Sequence, residues 1–65
     1  MSVSKLIIEL DLDNYAMQDA REIARILSDI GSLISETGFQ PYHKRVYDIN
    51  GQSVGYWELC NEDLD

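Results

Sequence analysis

Residues 42–59 read YHKRVYDINGQSVGYWEL, two strand-like runs around Asn50-Gly51. Asn-Gly between such runs is the strongest short-range signal for a β-hairpin, because both residues tolerate the positive φ of a two-residue turn. A turn centred there predicts strands over 42–49 and 53–59. It pairs Ile49 with Gln52, Tyr47 with Val54, Val46 with Gly55, Lys44 with Trp57 and Tyr42 with Leu59. Successive side chains then fall on opposite faces, so register decides what is buried. One face holds Tyr42, Val46, Trp57 and Leu59, suited to a core, with Lys44 and Asp48 reaching its edge. The other holds Tyr47, Ile49, Val54 and Tyr56 with His43, Arg45 and Glu58.

Working back toward the N-terminus, a third strand is expected over about 3–12. Leu6, Ile8, Leu10 and Leu12 alternate with Lys5, Ile7, Glu9 and Asp11, the period of a half-buried strand. Between this strand and the hairpin lies a helix of about 20–37. Asp19 followed three residues later by Glu22 predicts a capping box and a start near Ala20. Gly38 supplies the stop, and Pro41 blocks continuation. At 100° per residue, Ile23, Leu27, Ile30 and Ile34 form the apolar centre. Ile26 and Leu33 widen it on one side, and Ala20, Ala24 and Gly31 on the other. This arc is broader than one sheet requires. Gly31 costs about 1 kcal/mol against Ala in a helix interior, which a closely approaching neighbour would explain. The expected fold is α+β: βαββ, a three-stranded antiparallel sheet with one helix on one face, in a single domain of 65 residues.

A chain this short buries only about 60% of its unfolded surface and is marginally stable alone. Cys60 is the only cysteine, so no disulfide forms within the chain, and a reducing compartment is expected. The first residues run into the strand pattern without the features of a signal peptide, and no apolar run approaches membrane-spanning length. Association with another chain is the remaining stabiliser.

Twelve acidic against five basic residues give a net charge of −7, which opposes binding to nucleic acid or an anionic membrane. The charge is unevenly placed. Residues 39–59 are neutral, with Lys44 and Arg45 against Asp48 and Glu58, and hold five of the six aromatics. The tail 60–65 is acidic through Glu62, Asp63 and Asp65. Glu22, Asp29 and Glu36 recur every seven residues and share one helix face, read here as a solvated face that steers a basic partner.

Catalysis is not expected. One His and one Cys, with no third member to orient them, do not make an activated nucleophile. Metal binding is not expected either. Asp11-Leu12-Asp13-Asn14 lacks the central Gly and the twelfth-position Glu of a calcium loop, and too few His and Cys are present for zinc. The four glycines have no phosphate-loop spacing, so no cofactor is expected.

Three segments are familiar together: Leu10-Asp11-Leu12-Asp13-Asn14-Tyr15-Ala16, Glu22-Ile23-Ala24-Arg25-Ile26-Leu27, and Asp48-Ile49-Asn50-Gly51-Gln52-Ser53-Val54-Gly55. In this order they resemble the very short acidic proteins encoded in phage genomes. Some proteins of that kind are anti-defence inhibitors, which block CRISPR complexes or nucleotide-based signalling. The resemblance implies a phage protein that acts in the host cytoplasm and inhibits a host defence protein by occupying it. Alternatives are a self-associating structural or regulatory phage protein and a sponge for a signalling nucleotide. The shared motifs are structural and carry over no active residues.

The expected partner-binding residues are Ile7, Tyr47, Val54 and Tyr56 on the sheet face away from the helix, with Glu22, Asp29 and Glu36 on the helix. An uncovered apolar patch of that kind, on a chain too short to be comfortable alone, also predicts a homodimer.

Overall fold

The computed structural model describes residues 3–61. Its elements are β1 (Lys5–Leu10), a short 3-10 turn (Ala16–Gln18), α1 (Ala20–Thr37), β2 (Tyr42–Tyr47) and β3 (Ser53–Cys60). The sheet is antiparallel in the order β1-β3-β2, with α1 packed on one face, so the expected α+β βαββ arrangement is the one found. β3 is central, which suits the strand carrying Val54, Trp57 and Leu59, all buried. Both β1 and β2 are edges.

The helix begins at Ala20, with the Asp19 carboxylate accepting from Arg21 N–H at 2.9 Å. Only this half of the expected capping box forms. Glu22 turns instead toward the hairpin and accepts from Ile49 N–H. Gly38, with φ 80°, ends the helix in a backbone region that favours glycine.

The hairpin departs from the expected two-residue turn. Asp48 C=O accepts from Gly51 N–H at 3.0 Å, and Asp48 N–H donates to Gln52 C=O at 2.9 Å. The turn therefore spans residues 48–51, and the loop holds three residues, Ile49, Asn50 and Gly51. A type I′ turn needs positive φ at both central residues. Among the described residues only Gly38 and Gly51 have positive φ, so Asn50 does not supply it. Asp at the first position and Gly at the fourth are type I preferences, and a left-handed Gly then closes the three-residue loop.

A second irregularity follows. Val46 pairs with Gly55 as expected, but Tyr47 pairs with Ser53, so Val54 is an extra residue in β3. Such a bulge breaks the alternation of faces. Val54, expected on the exposed face, lies in the core with Val46, Trp57, Leu59, Val3, Met17, Ile26 and Ile30. Beside the bulge, Gly55 lets β1 and β3 approach closely: a Cβ there would run into the Glu9 carbonyl.

α1 is rotated so that Glu22, Ile26 and Ile30 are its buried residues. Arg25, Asp29 and Leu33 line a depression of about 200 Å³ with Lys44, Val46 and Tyr47, which places that flank over β2. Leu27 is exposed. Beyond the helix's own backbone and the flanking residues, nothing lies within 4 Å of where a Gly31 Cβ would sit, so the close approach expected there is absent among the described residues.

The two glycines accordingly behave oppositely. Gly31→Ala is expected to raise stability by about 1 kcal/mol in urea unfolding. Gly55→Ala is expected to lower it by about 2 kcal/mol, because β1 must move off the sheet. A neutral or destabilising Gly31→Ala would show that something packs on that position.

Candidate functional site

The tip of the hairpin is held by two buried carboxylates. Asp48 is 5% exposed and accepts from Asn50 N–H at 2.8 Å, Gln52 N–H at 2.9 Å and Asn14 Nδ2 at 2.9 Å. Glu22 Oε2 accepts from Ile49 N–H at 2.8 Å and from Arg25 Nη2 at 2.8 Å, while Oε1 accepts from Arg25 Nε at 3.1 Å. With Gly51 N–H bonded to Asp48 C=O, each N–H from Ile49 to Gln52 has an acceptor inside the protein. Asn14 extends the network. Its Oδ1 accepts from Met17 N–H at 2.9 Å, fixing the 3-10 turn that carries the fully buried Met17.

Hydrogen bonds outweigh burial at both acids. The Arg25 guanidinium, reinforced by Ile49 N–H, holds Glu22 below its ordinary pKa although partial desolvation pushes it upward. The backbone N–H of Gln52, with Asn14 and Asn50, does the same for Asp48. Arg25 is raised in turn, chiefly by Glu22.

What this rigid frame presents outward is apolar. Ile49 is 72% exposed and Tyr15 is 94% exposed. Both line a depression of about 340 Å³ with Ala16, Gln18, Asp19 and Glu22. Tyr47, at the end of β2, is also exposed. The surface thus joins a hairpin tip to the loop before the helix, two segments far apart in sequence.

The expected partner-binding residues do not form one surface. Val54 is in the core, removed by the bulge, and Glu22 is buried and structural because the turn needs its carboxylate. Asp29 is exposed and ion-paired with Arg25 at 3.1 Å, and Glu36 is exposed at the other end of the helix. The helix face is therefore not a free acidic stripe. Ile7 and Tyr56 remain on the sheet face away from the helix, half-buried among polar neighbours. Ile7 pairs with Glu58, and Tyr56 lies between Glu9 and Arg45 with its ring stacked on His43 at 5.2 Å. Tyr15 was not among the expected residues, and the sequence marks it only as one exposed aromatic in a loop. Glu62, Asp63 and Asp65 lie outside the described residues.

Among the described residues, no three His, Cys, Asp or Glu side chains gather as a metal-holding group, and no helix is long and apolar enough to cross a membrane. No family model, curated protein or solved structure matches this chain.

The network predicts an acid-sensitive fold. Carboxylates held below their ordinary pKa contribute their full stabilisation above about pH 4.5 and lose it as pH falls below about 4. Glu22→Gln and Asp48→Asn are each expected to flatten the acid limb of thermal stability while lowering stability at neutral pH. Asp48→Asn is expected to be the more damaging, since an amide cannot accept from both the turn and Asn14 Nδ2. Acid limbs parallel to that of the unsubstituted chain would exclude these two groups as its cause.

Proposed function

We propose that this chain is a protein-binding module that acts by occupancy, with Tyr15 and Ile49 as its anchoring pair. The supporting observation is the contrast at the hairpin tip. Every backbone N–H from Ile49 to Gln52 is satisfied internally, while the Ile49 and Tyr15 side chains are largely exposed to solvent. Pre-organisation of this kind reduces the ordering cost of binding, and tyrosine is a frequent interface anchor. Large apolar side chains held out on a rigid frame suit a partner that buries them. The resemblance to short acidic phage proteins makes a bacterial defence protein the partner class we favour, with inhibition by occupancy as the mode of action. The net charge of −7 favours a basic face on that partner.

The test uses Tyr15→Asp and Ile49→Ser, both at exposed side chains, the second adding no charge beside Glu22 and Asp48. The unsubstituted chain should protect an infecting phage in a strain carrying the targeted defence system and should capture a component of that system. Each variant should lose capture by at least tenfold while keeping its circular dichroism spectrum. Equal capture and protection by both variants would remove the hairpin tip as the binding site.

A further inference from the structure

We propose that β1 pairs with β1 of a second copy of this chain, continuing the sheet across a two-fold axis at Ile7. The inference concerns a different surface from the hairpin tip and does not depend on that reading. β1 is an edge strand in register with β3 from Lys5↔Cys60 to Leu10↔Gly55. Asp11 N–H bonds to Val54 C=O one step further along the same register. In an antiparallel ladder, residues alternate between those bonded to the partner strand and those turned away. Asp11, Glu9 and Ile7 therefore bond toward β3, and the backbone groups of Leu6, Ile8 and Leu10 face outward along the open edge; the alternation ends at Ser4, whose N–H also bonds to Cys60 C=O at 3.0 Å.

The sequence of β1, KLIIEL, is self-complementary about Ile7. Antiparallel pairing of two copies there places Ile7 opposite Ile7, Leu6 opposite Ile8, and Lys5 opposite Glu9. The outward N–H and C=O of Leu6 meet those of Ile8, as a ladder requires, and each end gains an opposite-charge pair on the face away from the helix. Side chains keep their faces across this axis, so Leu6 and Ile8 of both copies stay on the helix-bearing side. Those two residues are 47% and 37% exposed, although their cross-strand neighbours Leu59 and Trp57 are buried. The helix leaves them partly uncovered. The pairing would give Leu6 and Ile8 apolar neighbours from the other copy. The other edge does not offer this. β2 carries His43, Lys44 and Arg45, and an antiparallel pair centred on either Lys44 or Arg45 sets like charges against each other.

Sedimentation equilibrium at micromolar concentration is the direct test. The unsubstituted chain should have twice its 7.5 kDa mass. Glu9→Lys or Lys5→Glu alone should weaken self-association at least tenfold, and the double swap should restore it to within a few-fold of the original. Circular dichroism should be unchanged throughout, and Tyr15→Asp should leave the dimer intact. A monomer at all concentrations would overturn the proposal, including the case in which a foreign strand takes the edge. So would a dimer indifferent to both single swaps, or one that the double swap fails to recover.

Discussion

The fold depends on one requirement, that the backbone N–H groups of a solvent-edge turn find acceptors, most of them carboxylate oxygens. Asp48 supplies acceptors from within the turn and Glu22 from the helix. Asn14 joins Asp48 to the loop before the helix. Three segments are thereby fixed to one another. Burying these two acids is unfavourable in itself, because the Asp48 charge raises the Glu22 pKa and each acid loses water. The balance nevertheless favours the charged forms: both pKa values move down. Arg25 offsets the repulsion, and the aligned N–H dipoles replace the lost solvent.

That anchoring explains why the sequence was legible in its elements and less so in its faces. Periodicity placed α1 at Ala20–Thr37, and the Asn-Gly signal located the hairpin. The Val46–Gly55, Lys44–Trp57 and Tyr42–Leu59 pairs followed from it and are present. The turn type did not follow from Asn-Gly alone, because Asp48 at the first position competes for the same residues. Its side chain captures two turn N–H groups, and that favours the longer loop. The D-x-N-G spacing was therefore the more informative signal. The bulge at Val54 has no such local mark, since it arises from fitting that loop to a strand already in register with β1. One extra residue moved Val54 into the core and out of the apolar face expected opposite the helix, where Ile7 and Tyr56 remain.

Glu22 shows a different limit. Its seven-residue spacing from Asp29 and Glu36 is a true feature of the helix, but periodicity reports the helix alone. Burial of Glu22 depends on where the hairpin tip docks, a contact spanning 27 residues of sequence. Asp29 and Glu36 share its stripe and stay exposed. A charge pattern on one element therefore identified a face without revealing what covers each of its turns.

The size of the chain ties these observations together. Among the described residues, eight buried apolar side chains form the core, drawn from the sheet, from Val3 ahead of it, from the helix and from the preceding turn. A single helix of this length spans about 27 Å and covers about two strands' width of a sheet spaced at about 4.8 Å. It leaves Leu6 and Ile8 partly open on β1 and Tyr42 partly open on β2. Other exposed apolar side chains stand in the loops, among them Phe39 after the helix and the Tyr15–Ile49 pair at the hairpin tip. In a copy-to-copy sheet joined through β1, the two-fold axis sends the two hairpin tips in opposite directions. Each tip remains open, and the assembly becomes bivalent. A partner that is itself a repeating or symmetric assembly would then be held by two sites, and avidity exceeds either single affinity when the spacing allows both to engage. A monovalent partner would gain nothing from this, so the benefit of pairing through β1 depends on the symmetry of what the tip binds.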